Sequence, residues 1–339
     1  NTRNRGNVIS ETLDSIIEQI VPGIEVVVVD GASEDNTQQV MQRYASKYPF
    51  VKYLRSDGGL GVDDGYDAAV KSATGDYCWL MTDDDVIVSG ALKTILDKIG
   101  AGHDLIILNL ECFTKDLSLD LNQRLFNYHE DRHYSQDDLG SFLGDLGYGL
   151  SYIGCVIIKR ILWFENDRAP FYGTYFVHMG VICGSSKIRD IVFLHSPLIK
   201  YRSGNSSWTD RSFEIWYFKW PRLIWSFSNL PTDVKNKVVV QRPWGRALTL
   251  LKSRAMGEYN YELFKDYLSV EGPKWERFSS YFISKLPIAP VSLLLILFCL
   301  LFRRRGLYTL YNLMISSPQP AMSRKLIRAF GLNFPYSMN

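Results

Sequence analysis

Three consecutive carboxylates, Asp83-Asp84-Asp85, follow an apolar run that begins at Cys78. Such a run predicts a buried strand of a parallel sheet, and the aspartates then fall at its carboxyl end, where open α/β sheets bind ligands. Adjacent carboxylates repel one another unless a cation offsets their charge. Hard oxygen ligands suit Mg²⁺ or Mn²⁺, which commonly also hold a diphosphate. The alternative is a solvated acidic turn that opens the next helix.

Short strands alternate with helices through the first 110 residues. We expect helices over 7–20, 36–47, 63–73 and 89–99, and further strands over 25–30, 51–55 and 104–110. This spacing predicts an α/β fold with a Rossmann-like, mostly parallel sheet flanked by helices. Asp30 also ends a strand, so two strands deliver carboxylates to one edge. Residues 1–6 have the character of a loop after a strand, and we expect a first strand before Asn1.

The C-terminal third of the chain is basic and rich in apolar residues. Residues 230–339 hold 16 Lys and Arg against 6 Asp and Glu, although the whole chain has a net charge of +2. The apolar run at 287–302 is shorter than the roughly 20 residues of a spanning helix. An interfacial or re-entrant helix with Arg303-Arg304-Arg305 at the headgroups fits better, and a buried hairpin helix is the alternative. We expect no nucleic-acid partner, because the charges interleave with apolar runs.

Four motifs follow one another with ordinary spacing: Thr2-Arg3-Asn4-Arg5, VVVVDGASEDNT, DGGLGVDDGYDAAVKSATGDY and CWLMTDDD. Together they resemble the family 2 glycosyltransferases with the GT-A fold, over about residues 1–110. GYDAAV, YCWL and DDD most resemble the abequosyltransferases and related O-antigen sugar transferases. With this resemblance we expect a GT-A domain over 1–212, and the basic, apolar composition of the remainder predicts a helical, membrane-associating region over 213–339. The resemblance also implies inverting transfer of a hexosyl or deoxyhexosyl group from a nucleotide-diphosphate sugar.

The resemblance implies roles for individual residues. Asp30 would hydrogen-bond the nucleotide base. Asp83 with Asp85 would hold Mg²⁺ or Mn²⁺ to neutralise the departing diphosphate, which makes Asp85 a catalytic candidate as well. Alignment from the strand instead makes Asp83 the last metal ligand. The other expected nucleotide-sugar contacts are Thr2, Arg5, Asp57, Asp63, Asp67 and Asp84. Helix N-capping is the alternative for Asp63 and Asp64.

An inverting enzyme needs a general base for the acceptor hydroxyl. The family usually supplies it from an acidic pair at the start of a helix, which this chain lacks. His178 stands where the acid is expected and is the candidate base, because its ordinary pKa lies near the operating pH. Metal ligation and a structural role are its alternatives, and Asp167 and Asp210 are the back-up bases.

The loop after the last expected strand, Arg202-Ser-Gly-Asn205-Ser-Ser-Trp208, is a second candidate element of the site. Arg202 and Asn205 could close over the diphosphate or sugar, and Trp208 could stack on a sugar face. The alternative is an ordinary surface loop.

The sequence therefore predicts sugar transfer to a lipid-linked (polyprenyl-diphosphate) saccharide in the synthesis of an O-antigen-like polysaccharide. Residues 287–305 would contact the membrane surface, which places a peripheral or monotopic protein at the cytoplasmic face of the inner (plasma) membrane. The five cysteines form no CxxC pair, and a reducing compartment fits them. Two other classes stay open. One is a processive polysaccharide synthase, and the other is a non-catalytic binding or scaffold protein with the same fold.

Overall fold

The computed structural model describes residues 1–206, 209–301, 306–316, 320–329, 332 and 334. Its strands are β1 (Val26–Asp30), β2 (Val51–Arg55), β3 (Tyr77–Trp79), β4 (Val86–Ile87), β5 (Leu105–Phe113), β6 (Asp120–Arg124), β7 (Arg132–Ser135), β8 (Val156–Lys159) and β9 (Asp190–Arg202). Its helices are α1 (Ile9–Ile17), α2 (Thr37–Lys47), α3 (Val62–Ser72), α4 (Ala91–Gly100), α5 (Leu139–Leu146), α6 (Arg160–Trp163), α7 (Val177–Gly184), α8 (Ser212–Glu214), α9 (Trp220–Ser226), α10 (Thr232–Val238), α11 (Ala247–Met256), α12 (Tyr261–Leu263), α13 (Lys274–Lys285), α14 (Ile288–Leu301), α15 (Leu307–Ser316) and α16 (Pro320–Ala329).

The strands form two sheets. β1 and β2 pair in parallel, and the second sheet has the order β3-β8-β5-β9-β4, with β6 beside β5 and β7 beside β9. β8 runs antiparallel to both β3 and β5, and β9 runs antiparallel to β4 and β7. The second sheet is therefore mixed, where the sequence spacing predicted a mostly parallel one. The chain leaves β5, passes through β6, β7 and α5, and enters β8 in the opposite direction.

The first two helices are held to β1 by a small apolar core. Ile9 and Leu13 lie one turn apart on α1 and pack with Val28 of β1 and with Met41 of α2. A stripe of this kind buries one face of each helix against the sheet. The packing fixes both ends of the loop that precedes α1, which carries Arg5.

An apolar cavity of about 530 Å³ lies between β1 and β3 and is lined on its sides by α3 and α4. Thr2 forms a parallel bridge with Asp30 at the carboxyl end of β1.

The chain divides into two compact units. The first comprises 1–110, 124–201 and 226–238, and the second comprises 111–123, 202–225 and 239–339. The sequence predicted two domains that meet at one boundary, residue 212. In the structure, each unit consists of three separate segments of the chain. Asp30 and Asp83 to Asp85 belong to the first unit, and the loop that begins at Arg202 belongs to the second.

The second unit has an aromatic core. Phe213 stacks on Tyr217 and on Tyr259, with ring centroids 4.5 and 5.1 Å apart. Ser292 anchors α14 to α11 by donating a hydrogen bond of 2.6 Å to the Ala255 carbonyl. Among the described residues, no single helix has the length and hydropathy of a membrane span, but α13 and α14 meet that test as a pair bent by 96°.

Candidate active site

The loop before α1 is fastened to the turn after β1. The Asn4 amide donates to Ser33 Oγ at 2.9 Å, and the Arg5 amide donates to Thr37 Oγ1 at 2.8 Å. Asn4 and Ala32 both have left-handed backbones, with φ of 55° and 63°. Such conformations cost energy outside glycine and concentrate at functional sites. Together these contacts fix the Arg5 backbone at the carboxyl ends of β1 and β3.

Arg5 lies against the acidic triplet. Its Nε is 3.5 Å from Asp83 Oδ1, and its Nη2 is 3.6 Å from Asp84 Oδ2. The three side chains are only 13%, 18% and 14% exposed, so the charges meet in a largely desolvated place. The guanidinium offsets part of the repulsion between the neighbouring carboxylates. The triplet is therefore part of a charge network and not a solvated acidic turn.

Asp85, the third member of the triplet, is buried. It is 1% exposed, and its Oδ2 accepts hydrogen bonds of 2.6 Å from both Thr82 Oγ1 and Tyr152 Oη. Burial and then the charge of Asp85 raise the pKa of Tyr152 well above its ordinary value, so the phenol stays protonated as a donor. Asp85 thus positions the backbone that carries Asp83 and Asp84.

Asp30 is completely buried, and both of its oxygens accept hydrogen bonds from the protein. Oδ1 accepts from the Ser33 amide and hydroxyl at 2.8 and 2.7 Å. Oδ2 accepts from Tyr53 Oη at 2.6 Å and from Arg55 Nη1 at 3.2 Å. Asp30 therefore organises the turn that begins at residue 31, and a nucleotide base that bonds to it would replace one of these donors.

Asp63 caps a helix other than its own. It lies in the first turn of α3, but its carboxylate accepts from the amides of Tyr175 and Val177 at 2.8 and 2.9 Å. Those amides belong to the amino-terminal end of α7, where intrahelical partners are lacking. Burial raises the pKa of Asp63, against the effect of these hydrogen bonds. Asp63 therefore caps a helix, which was the predicted alternative to a ligand contact, but the helix that it caps is α7 and not its own α3.

Asp67 joins α3 to the segment that follows β8. It is 1% exposed, and Oδ1 accepts from Trp163 Nε1 at 2.8 Å and from Arg168 Nε at 2.7 Å. Oδ2 accepts from Tyr172 Oη and lies 2.6 Å from Lys71 Nζ. Burial alone would raise its pKa, but the hydrogen bonds and the Arg168 charge outweigh it and lower the pKa to about 2. Asp67 is thus a buried, ionised carboxylate that connects α3 with the segment after β8.

His178 lies in the first turn of α7 and has no exposed surface. Its Nε2 is 2.7 Å from the Leu150 carbonyl, and its Nδ1 has no hydrogen-bond partner within the described part of the chain. Burial lowers its pKa to about 4, so the ring is neutral near pH 7. A ring enclosed in this way does not reach an acceptor hydroxyl, and the geometry favours the structural alternative.

The other predicted contacts fall in different places. Thr2 is 1% exposed beside Asp30, and its Oγ1 is a buried atom with no hydrogen-bond partner within the described ranges. Arg202 is buried in the second unit and donates to the Lys115 carbonyl at 2.6 Å, which favours a structural role for it. The other placements are Asp57 exposed in a loop, Asp167 and Asp210 exposed, Asn205 partly buried, and Trp208 outside the described residues.

The acidic strand end has the chemistry of a divalent-cation site. Asp83 and Asp84 are partly buried carboxylates that converge on one positive group, and Mg²⁺ and Mn²⁺ favour such oxygen donors. Asp85, which the sequence paired with Asp83, uses its Oδ2 to accept from two hydroxyl groups. The residues therefore fit the ion as an Asp83–Asp84 pair supported by Asp85.

Sequence reasoning missed the partners that hold the site. Tyr152 precedes β8, and its role follows from the antiparallel register in which Trp79 of β3 lies opposite Ile157. Residues beyond the end of β3 must then meet residues before the start of β8. The Tyr-Ile-Gly-Cys stretch before β8 contains the tyrosine that contacts Asp85. This contact could be predicted only if β8 were known to run antiparallel to β3.

The chain is similar in sequence to known proteins. Residues 1–155 match the model of the family described as glycosyl transferase family 2. Abequosyltransferase RfbV of Salmonella typhimurium is 26% identical over 269 residues, which cover 72% of this chain and 79% of that protein. A Campylobacter jejuni enzyme, GalNAc(5)-diNAcBac-PP-undecaprenol beta-1,3-glucosyltransferase, is 29% identical over 103 residues, or 30% of this chain and 33% of its own.

Solved structures share the fold. Staphylococcus aureus TarS 1–349 superposes with a TM-score of 0.52 at 18% identity, over 96% of this chain and 89% of that one. The fold and the sequence matches together define a glycosyltransferase of the GT-A fold. Its first 155 residues match glycosyl transferase family 2, and the chain resembles an abequosyltransferase.

Proposed function

We propose that the chain is an inverting glycosyltransferase that moves one sugar from a nucleotide-diphosphate donor to a lipid-linked saccharide during cell-surface polysaccharide synthesis. The observation that carries the proposal is the convergence of Arg5, Asp83 and Asp84 at the carboxyl end of β3. The Campylobacter jejuni relative is named for an undecaprenol-linked saccharide, which supports a lipid-linked acceptor.

Asp83 and Asp84 would hold Mg²⁺ or Mn²⁺, which supplies charge stabilisation for the departing diphosphate. Arg5 already lies at 3.5 and 3.6 Å from these carboxylates, so its guanidinium competes with any second cation there. At about 4 Å and an effective dielectric constant of about 20, a divalent cation and the guanidinium repel by roughly 8 kcal/mol. Because the Arg5 backbone is anchored to Thr37, only its side chain needs to turn away, toward the diphosphate oxygens.

The acceptor hydroxyl needs a base on the side opposite the leaving group. His178 is enclosed, and a ring with a pKa of about 4 is a weak base at pH 7. Asp167 and Asp210 are exposed carboxylates and stay the predicted bases. Single substitution of each by Asn distinguishes them, since the base variant loses transfer while it still binds the donor.

The second unit carries a face suited to a bilayer. Aromatic and aliphatic side chains are exposed at helical spacing along two adjoining helices: Trp275 63%, Phe278 72%, Tyr281 43% and Phe282 59% on α13, and Leu294 67%, Phe298 59% and Leu301 79% on α14. Exposed apolar surface of this extent on one face marks an interaction site.

Charge on α13 favours an anionic bilayer. Lys274 and Lys285 are exposed, whereas the single acid of the helix, Glu276, is buried and lies 3.4 Å from Arg242. A helix with exposed aromatics and a basic rim lies in the interface plane of a membrane. The proposed membrane contact therefore includes α13 in addition to the predicted segment 287–305, of which α14 is the described part. Arg303-Arg304-Arg305 lies outside the described residues.

The proposed reaction is tested by incubating the chain with a panel of nucleotide-diphosphate sugars, with and without Mn²⁺, and a lipid-linked oligosaccharide in vesicles. We expect one donor to add one sugar per acceptor, with an inverted anomeric configuration by NMR. A ladder of long products would favour a processive synthase. Donor binding without transfer to any lipid-linked acceptor would favour a binding protein.

Replacing Phe278 and Phe282 together with Asp is expected to weaken binding to anionic vesicles at least about tenfold, because each phenyl ring contributes roughly 1.5 to 3 kcal/mol when fully buried. Co-sedimentation with vesicles that contain an anionic lipid measures it. Ile161→Asp is the matched control, since Ile161 is 77% exposed on α6 of the other unit. Equal sedimentation of the double variant and the control would remove the membrane face from the proposal.

A further inference from the structure

A second group of ligand-type side chains lies away from the aspartate triplet. Within the described residues, His103, His133 and Asp190 are a set of three metal-ligating residues whose ligand atoms lie within 4.8 Å of one another. His103 precedes β5 and Asp190 begins β9. In the register of β3, β8 and β5, these residues lie toward the start of β3, whereas Asp83 follows its end. At about 3.3 Å per residue, the two places are roughly 20 Å apart along the strands.

The three side chains are arranged around one point. His103 Nδ1 is 2.9 Å from Asp190 Oδ2, and the rings of His103 and His133 have centroids 5.5 Å apart at an interplanar angle of 51°. His103 is 9% exposed, whereas the other two are exposed. An ion from solvent would therefore reach the group while one ligand stays fixed in the protein.

The backbone that carries these residues is rigid. The Asp104 amide donates to the Asp190 carbonyl at 2.9 Å, which aligns the starts of β5 and β9. Tyr77 Oη donates to the His103 carbonyl at 2.9 Å. His133 lies opposite Val192 in the antiparallel pair of β7 and β9, so it shares an end of the sheet with Asp190. Sites on paired strands hold ligand geometry better than sites on loops.

The nearby charges leave room for a cation. The Lys159 ammonium lies near this group, and its Nζ is 2.6 Å from Asp104 Oδ1. Asp104 is thus the main counter-charge of Lys159, with a smaller contribution from Asp190, and Asp190 Oδ2 faces His103 Nδ1. Two neutral imidazoles and one carboxylate are a donor set that Zn²⁺ favours, unlike the all-oxygen set that suits Mg²⁺.

We propose that His103, His133 and Asp190 bind a zinc-type divalent transition-metal ion, with water in the remaining position. The ion would join the starts of β5 and β9 to β7 and stabilise that end of the sheet. The site is separate from the sugar-transfer site and does not depend on the proposed reaction. The competing explanation is a plain His103–Asp190 hydrogen bond with His133 adjacent by chance.

The test titrates the full chain with Zn²⁺ alone, in excess Mg²⁺ to occupy the acidic strand end. We expect one equivalent to bind, and we expect His133→Ala and Asp190→Asn each to weaken that binding at least about tenfold, since loss even of supporting residues costs about 10- to 100-fold. Both residues are exposed, so these variants should fold. His129→Ala, which removes an exposed histidine outside the group, is the control.

A second readout separates a metal site from a hydrogen bond. Co²⁺ in place of Zn²⁺ should give the visible absorption of a nitrogen- and oxygen-ligated ion, and both variants should lose it. Zn²⁺ should also raise the melting temperature of the wild type but not of His133→Ala. Zn²⁺ affinity that is the same in His133→Ala and wild type, or no stoichiometric binding by the wild type, would overturn the site.

Discussion

Replacing Asp83 or Asp84 with Ala is expected to lower the rate of sugar transfer at least about 100-fold, the scale of losing one preorganised electrostatic contact to a transition state. Both carboxylates face the Arg5 guanidinium, at 3.5 and 3.6 Å, in a place where they are less than one fifth exposed. Removal of either one halves the negative charge that would hold a divalent cation beside the diphosphate. Transfer kinetics at saturating donor, with Mn²⁺ binding followed by electron paramagnetic resonance, measure the effect.

Matched variants separate a metal pair from a general loss of structure. Asp76→Asn removes an exposed carboxylate before β3, at the other end of the same strand. It should change neither the rate of sugar transfer nor the affinity for Mn²⁺. Asp85→Asn should slow transfer less, by about tenfold, because Asn still offers an oxygen to Thr82 and Tyr152. Arg5→Ala should strengthen Mn²⁺ binding in the absence of donor, since the competing cation is gone.

The same series decides between the two metal pairs. If Asp85→Asn abolishes Mn²⁺ binding while Asp84→Ala retains it, the ion is held by Asp83 and Asp85, as the sequence spacing suggested. Full transfer activity in both Asp83→Ala and Asp84→Ala would instead remove the metal from the proposed mechanism. Circular dichroism of each variant guards against unfolding as the cause.

Local pattern predicted the elements of the first 110 residues well. The β-branched run that ends on Asp30 and the apolar spacing of α1 each specify one element from their own residues. The direction of β8 could not be predicted, because the same apolar sequence could form either a parallel or an antiparallel strand. Its direction depends on the path through β6, β7 and α5, and no local pattern encodes that path.

Residue type and position predicted which carboxylates matter but not what they contact. Asp63 and Asp67 lie one turn apart on α3, and both were expected near the donor. In the structure one caps α7 and the other binds Arg168 and Trp163, which lie about 100 positions away in the sequence. Such partners are set by tertiary packing, so the sequence alone could not distinguish a ligand contact from a structural junction.

His178 illustrates the same limit. From the sequence alone, a histidine in an apolar segment can be either a general base or a residue of the core. Whether the side chain is buried distinguishes the two roles. The enclosed ring and its lowered pKa of about 4 follow from the packing of α7 against the residues near Leu150. The sequence signal for the structural alternative was the segment itself, in which every residue from Val177 to Cys183 is buried.

Replacing Asp67 with Asn is expected to lower the free energy of unfolding by roughly 3 kcal/mol, the lower end of the cost of breaking a buried ion pair. The change keeps the size of the side chain but leaves the Arg168 guanidinium, which is 15% exposed, without its counter-charge. Lys71→Ala is the matched control. It removes the exposed arm of the same cluster, 54% exposed, and should cost less than about 1 kcal/mol. Urea unfolding followed by tryptophan fluorescence measures both.

The acid dependence of stability gives an independent check on Asp67. Its pKa is about 2 in the folded protein and about 3.9 in an unfolded chain, so the unfolded state binds the proton first as the pH falls. The carboxylate therefore stabilises the fold fully above about pH 4, and this contribution of roughly 2 to 3 kcal/mol is lost as the pH drops through 2. The gap in unfolding free energy between wild type and Asp67→Asn should narrow over that window. A gap that stays constant from pH 5 to the acid limit of folding, or a variant as stable as wild type at pH 7, would show that Asp67 is not an ionised junction.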